Sequence, residues 1–287
     1  MAFKDEIKER LSNYKVNKVN VLENGIWKAN GKQYPHILPI NKYELNFLDT
    51  YRADLLKHIK DNNISLHRDF HHLNSSQALC MNFFFPMIVE KQESILLQAL
   101  KLSGEYVVSY EFEKVLSELE GTNFDFYVQL QSGKRIYFEI KYTEEAFGKV
   151  KKSDWQSEKY LTKYQNIYKD MLVGKMRQEI NMYEELMKNY QLLRNIAYLD
   201  TSKNDLFIII SPRDHTKLHK EYDYLIKNVI SPTIHKSIHL ITWEDILEET
   251  KIIINSRDNI QHTLLTHYLM FEEKYMYDTD IYKPRNS

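Results

Sequence analysis

A chain of 287 residues with 28% charged and 43% hydrophobic residues has room for one large globular domain, or for a core with a helical extension. Its formal charge of −1 excludes a surface that is basic throughout, so a grip on nucleic acid would have to come from a local patch. One cysteine, Cys80, excludes an internal disulfide and a cysteine-rich zinc site and fits a reducing, cytoplasmic compartment. No signal peptide and no membrane helix are expected, because no segment approaches the roughly 20 apolar residues a span requires.

Residues 1 to about 73 read as mixed and mostly helical. Leu45, Leu48, Leu55, Leu56 and Ile59 form a rough helical stripe over 43–59. Asn74-Ser75-Ser76-Gln77 has the form of a capping box, with Asn74 at the cap and Gln77 three positions on. The helix it starts is expected to bury Cys80 and to end near Pro86. A second helix over 87–102 carries Ile88, Glu93, Leu96, Leu97 and Leu100 near one side, and Ser103-Gly104 closes it. Three strands follow. Residues 106–115 are β-rich. Residues 124–130 alternate strictly, with Phe124, Phe126, Val128 and Leu130 against Asp125, Tyr127 and Gln129. Residues 135–142 set Ile136, Phe138, Ile140 and Tyr142 against Arg135, Tyr137, Glu139 and Lys141, the pattern of half-buried strands with a polar face. A lysine-rich, aromatic-interleaved segment runs to about residue 175. A strong helix is then expected through Met176, Ile180, Tyr183, Met187 and Tyr190. Leu206 to Ile210 reads as a buried strand stopped by Ser211-Pro212. A helix over 215–230, a short strand over 238–242, and helices over 243–249 and 260–275 complete the chain. This order implies an α/β fold with a central mixed sheet flanked by helices. The expected division is an N-terminal helical extension over 1–80 and a core over 81–287.

Chemistry concentrates in the hairpin. A two-residue loop at Ser132-Gly133 would pair Asp125 with Ile140 and put the carboxylates out of phase. A three-residue loop, Gln131-Ser132-Gly133, pairs Asp125 with Glu139 and wants glycine in the left-handed conformation at its last position. Opposed Cβ atoms lie roughly 5 Å apart, so one cation could bridge the two groups. Hard oxygen ligands without Cys or His point to Mg²⁺, with Mn²⁺ as a substitute. Lys141 shares the face of Glu139 and could orient a water or stabilise charge on phosphorus. The bland alternative is an amphipathic hairpin whose polar side merely faces solvent.

This pattern resembles the PD-(D/E)XK nuclease superfamily, whose fold is restriction-endonuclease-like. Its Asp would be Asp125, preceded by Phe124 where the name has Pro, and its (D/E)XK would be Glu139-Ile140-Lys141. The resemblance implies that Asp125, Glu139 and the Ile140 carbonyl hold the metal, that Lys141 assists the water, and that a helical Glu supports the site. Glu93 fits the last role, since Leu96, Leu97 and Leu100 lie on its side of the helix; Glu90 and Glu113 are the other choices. The segment from His71 to Asn82, with Glu139 to Glu144, is similar to a bacterial restriction-endonuclease branch of the superfamily. The function implied is Mg²⁺-dependent hydrolysis of DNA, leaving 5′-phosphate and 3′-hydroxyl ends, in defence against foreign DNA. A two-fold homodimer is expected, because one site cannot cut both strands at once. A same-fold nuclease of repair, recombination or RNA cleavage, and a non-catalytic nucleic-acid-binding module, remain open alternatives.

Lys149, Lys151, Lys152, Lys159 and Lys163 follow the Glu-x-Lys strand and are candidates for phosphate contacts, with Trp155 and the interleaved tyrosines against sugar or base. Gln77 is a candidate substrate contact beside the supposed active-site helix. The pairs His67/His71, His215/His219 and His235/His239 have i, i+4 spacing but lack a third ligand, which favours structural roles. No glycine-rich phosphate loop is present.

Overall fold

The computed structural model describes residues 3–117, 123–257 and 262–276. The chain divides into a first unit, Met1–Ser103 with Trp243–Ser287, and a second, Gly104–Thr242. The division expected near residue 80 is therefore displaced, for a physical reason: the helix that starts there is the interior of the first unit, not a border.

In chain order the first unit supplies α1 (Phe3–Asn17), a small ribbon of β1 (Gly25–Trp27) and β2 (Lys32–Tyr34), α2 (Arg52–Asp61), α3 (Ser76–Val89) and α4 (Glu93–Ala99). The stripe expected over 43–59 is helical only in its second half; the first half forms 3₁₀ turns at Ile40–Asn46 and Asp49–Tyr51. Helix α3 is buried from Gln77 to Ile88, and each large apolar side chain there stabilises the unit by roughly 1.5–3 kcal/mol. Its cap is Ser75, one residue later than expected, whose hydroxyl accepts from the Ala78 N–H at 3.3 Å. Pro86 does not end the helix. Proline removes the N–H that the Asn82 carbonyl would have accepted, and the ring of His267, from the last helix of the chain, donates to that carbonyl instead at 2.7 Å.

The second unit contains β3 (Val107–Val115), β4 (Asn123–Leu130), β5 (Arg135–Ile140), α5 (Glu158–Lys163), α6 (Lys169–Leu172), α7 (Met182–Lys188), α8 (Tyr190–Ala197), β6 (Leu206–Ser211), α9 (Thr216–Tyr224) and β7 (Ile238–Thr242). The chain then returns to the first unit with α10 (Trp243–Asn255) and α11 (His262–Tyr275). The start of the last expected helix, at residue 260, lies outside the described residues. The sheet order is β3-β4-β5-β6-β7. The first three strands are antiparallel, and β6 and β7 run parallel to β5. This is the mixed, helix-flanked α/β sheet that the element order implied.

Two expectations change. The face read as polar is partly core: Tyr127 and Tyr137 join Leu186, Leu192, Leu193, Phe207, Ile209 and Leu218 in one cluster, while Asp125, Gln129 and Arg135 stay half-buried. Alternation alone reads tyrosine as a surface residue, whereas here its ring is core. The single helix expected through Met176 to Tyr190 is also absent. Residues 176 and 177 bond to the 229–230 segment, α7 starts at Met182 with Asn181 as its cap, and the helix breaks at Asn189. The break is filled by the loop after β5. Val150 N–H donates to the Met187 carbonyl at 3.0 Å, and Gln191 N–H donates to the Gly148 carbonyl at 2.9 Å.

Candidate active site

The turn between β4 and β5 sets the geometry. Gly133 has φ +84°, its N–H donates to the Leu130 carbonyl at 2.9 Å, and Leu130 N–H donates to the Lys134 carbonyl at 2.9 Å. Three residues, Gln131 to Gly133, therefore close the hairpin. The pairs Gln129↔Arg135, Val128↔Ile136, Tyr127↔Tyr137 and Phe126↔Phe138 follow, and Asp125 and Glu139 are the residues next to the last of these pairs. There the Asp125 side chain replaces a backbone partner, its Oδ2 accepting from the Ile140 N–H at 2.6 Å. Within a strand the N–H and C=O of one residue point the same way, so the Ile140 carbonyl lies on the Asp125 side of β5.

Glu139 is only 3% exposed, and both of its oxygens have donors. Oε1 accepts from Gln191 Nε2 at 2.7 Å and pairs with Lys141 Nζ at 2.9 Å. Oε2 accepts from Asn195 Nδ2 at 2.8 Å. Lys141 Nζ also donates to Gln191 Oε1 at 3.0 Å, and the same oxygen accepts from the Gly148 N–H at 3.0 Å. Gln191 and Asn195 lie one turn apart on α8 and were not singled out from the sequence. The available signal was a pair of amides at i, i+4 on a helix whose other inward residues are apolar.

The electrostatics follow from crowding. Burial holds the Asp125 carboxyl well above its usual range, and Glu139 and Glu113 push it further up against the opposing pull of Lys141 and the Ile140 N–H. Burial would lower the Lys141 ammonium, but Glu139, Glu144 and Asp125 outweigh it and hold it above its ordinary value.

Of the three glutamates considered for support, Glu113 belongs to the same unit as this cluster. It sits in β3 between the pairs Phe112↔Phe126 and Lys114↔Phe124, at the register position of Asp125. Its φ of +53° is left-handed, a conformation that costs a non-glycine residue roughly 1 kcal/mol or more. Glu93, the first choice, opens α4 in the first unit, and Glu90 there accepts from the Tyr51 hydroxyl at 2.8 Å.

The lysine segment separates its two chemistries. Lys149, Lys151, Lys152 and Lys159 are exposed and Lys163 is half-buried. The tyrosines turn inward instead: Tyr160 and Tyr168 meet Tyr190 with ring centroids 5.4 and 6.0 Å apart, and Tyr164 meets Tyr183 at 5.0 Å. Trp155 donates to the Val150 carbonyl at 3.1 Å. The rings expected to contact bases are thus packing groups. Gln77 requires a similar correction. It is buried, with its Oε1 on the His67 N–H at 2.8 Å and its Nε2 on the Ser65 carbonyl at 3.0 Å, so it fixes a loop. His215 caps α9 and bonds the Glu144 carbonyl at 2.6 Å, His219 meets Ser211, and His235 and His239 bond nearby carbonyls.

Among the described residues, no group of three His, Cys, Asp or Glu side chains is set to hold a metal ion. Glu139 acts electrostatically on Asp125, whose Oδ2 accepts from the Ile140 N–H. Also among the described residues, no helix is long and apolar enough to cross a membrane.

Three antiparallel strands followed by two parallel ones, with Asp125 on the second, Glu139 on the third and Lys141 just past its end, define a restriction-endonuclease-like α/β protein. The chain belongs to the family described as restriction endonuclease associating with ARP, whose model matches residues 8–276 and so spans both units. No curated protein and no solved structure matches the chain.

Proposed function

We propose that this chain is a Mg²⁺-dependent endodeoxyribonuclease that cleaves foreign DNA in the cytoplasm as a restriction or related defence enzyme, acting as a two-fold homodimer. The observations that carry the reading are the buried Glu139–Lys141 pair at 2.9 Å and the bond from the Ile140 N–H, between them in sequence, to Asp125 Oδ2 at 2.6 Å. The donor set fits a hard divalent cation. Both proposed side-chain ligands are hard carboxylates, and the upward push on Asp125 by burial, Glu139 and Glu113 is one that a cation would relieve. Asp125, Glu139 and the Ile140 carbonyl would hold Mg²⁺, or Mn²⁺ in its place. When bound, the cation would supply charge neutralisation at the phosphate and a more acidic water.

The chain's own residues do the rest. Lys141, held cationic by three carboxylates, orients the attacking water and stabilises negative charge on the pentavalent phosphate. The exposed lysines at 149, 151, 152 and 159, with Lys163, bind phosphates along the duplex without reading sequence. Hydrolysis leaves a 5′-phosphate and a 3′-hydroxyl.

Supercoiled plasmid incubated with purified protein and Mg²⁺, beside Glu139→Ala and Lys141→Ala, tests the reading. Cleavage by the parent protein and loss in both variants is expected. Cleavage that survives both substitutions overturns the site, and DNA binding without cleavage by the parent protein overturns the enzyme.

A further inference from the structure

We infer that Gln191 and Asn195 of α8 are positioning residues that fix the Glu139 carboxylate and the Lys141 ammonium for reaction, an inference that rests on the site proposed above. Three observations carry it.

The first is the division of donors. Gln191 Nε2 takes one oxygen of Glu139 at 2.7 Å and Asn195 Nδ2 takes the other at 2.8 Å, so the carboxylate plane is set by the helix rather than by the strand that bears it. The second is that Gln191 uses both ends of its amide. While Nε2 holds Glu139, Oε1 accepts from Lys141 Nζ at 3.0 Å and from the Gly148 N–H at 3.0 Å. One side chain thus orients the carboxylate, the ammonium beside it and the backbone of the loop that leads directly to Lys149, Lys151 and Lys152. The third is Asn195 itself, which is fully buried with an Oδ1 that has no hydrogen-bond partner among the described residues. An asparagine retained only for architecture would satisfy both ends of its amide, since an orphaned buried acceptor costs stability. Among the described residues, the one bond formed by its side chain is that to Glu139.

The positions follow from the break between α7 and α8. The loop after β5 enters that break, with Gly148 on the Gln191 backbone N–H and Val150 on the Met187 carbonyl. This starts α8 at a phase in which residues 191 and 195 face Glu139, while Leu192, Leu193, Ile196 and Ala197 enter the core. Groups that orient a ligand-bearing carboxylate typically change metal affinity or activity about 10–100-fold when removed.

The test uses Gln191→Met and Asn195→Leu, which keep size and remove polarity, with Glu139→Ala in parallel. Mn²⁺ affinity is measured by calorimetry, and kcat and KM are measured for DNA cleavage. Gln191 is half-exposed, so its variant carries the decision if Asn195→Leu does not fold. The expected result is a fall of about 10–100-fold in Mn²⁺ affinity or kcat for Gln191→Met, with KM for DNA unchanged. A purely architectural role would lower the melting temperature and leave both quantities as they were, and that result overturns the inference. If Glu139→Ala abolishes Mn²⁺ binding and cleavage while Gln191→Met does not alter them, the positioning role fails and the site stands. If Glu139→Ala itself changes neither, the site fails, and the inference with it.

Discussion

Each unit buries a lysine, and the two lysines move in opposite directions. Lys274 of α11 is 1% exposed and Lys141 is 6% exposed. Lys274 donates to the side chain of Asn46 at 2.8 Å and to the Asn46 carbonyl. Burial pushes its ammonium well below the ordinary value, Arg52 adds to the push, and Asp49 opposes it. Lys15, also in the first unit, likewise donates to the Glu23 carbonyl at 2.7 Å and to Asn24 at 2.8 Å, and burial lowers it. Lys141 feels the same desolvation, but Glu139, Glu144 and Asp125 reverse the outcome. Burial alone therefore does not mark a lysine as chemical. The first unit uses buried cations as donors to neutral oxygens that tie segments together, whereas the second gathers carboxylates around one.

The sharpest way to break this comparison is to substitute both lysines identically. Lys141→Met is expected to lower DNA cleavage by on the order of 10²–10⁴-fold. It should also destabilise the protein by about 3–5 kcal/mol, the cost of orphaning a buried partner, with the amides of Gln191 and Asn195 drawing the value toward the lower end. Lys274→Met is expected to leave cleavage intact and, because it orphans the buried Asn46 Oδ1, to cost about 1–3 kcal/mol at neutral pH by urea denaturation. The folded Lys274 binds its proton more weakly than the unfolded one. In the window between its lowered pKa and about 10.4 the unfolded chain holds more protons, so stability rises with pH there. Lys274→Met should flatten that rise.

A next, smaller effect separates the units by acid. Burial lowers His267 to about 4, against an opposing pull from the Asn82 carbonyl, and it lowers His72 to about 4 and His36 to about 3. Each is neutral when folded and gains a proton on unfolding below about 6.5, so stability is lost as pH falls from about 6.5 toward 4. For His267 alone the loss is about 3 kcal/mol by pH 4. Denaturant midpoints at pH 7, 5.5 and 4 should show it, and His267→Phe should remove that share. At any pH the same variant leaves the Asn82 carbonyl unpaired beneath Pro86, at about 1–3 kcal/mol.

Two weaker tests address the site's frame and its approach. Gly133→Ala forces a side chain into φ +84° and should cost roughly 1 kcal/mol by thermal denaturation. Replacing Lys151 and Lys152 with Gln should weaken DNA binding similarly for all sequences and reduce the salt slope by about 2.

The hairpin was legible in the sequence because a local rule governs it. Register parity demands an odd loop, and Gly133 supplies the left-handed residue such a loop needs. The buried strand β6 was legible from its apolar run. What could not be read depends on contacts distant in sequence. Pro86 ends a helix by local rules, yet His267, 185 positions away from Asn82, takes up the freed carbonyl. The apolar spacing through Met176 to Tyr190 predicts one helix, yet Gly148 and Val150 split it. That same split places Gln191 and Asn195 over Glu139, so the two amides were hidden for the reason the helix was misread. Glu113 shows the remaining limit, since nothing in its neighbours announces a left-handed glutamate inside a strand.

Diffraction from crystals soaked in Mn²⁺ tests the central claim most directly. An anomalous peak in contact with the carboxylates of Asp125 and Glu139 and the carbonyl of Ile140 is expected. Full occupancy of Mn²⁺ elsewhere, with no peak between those two carboxylates, would contradict it.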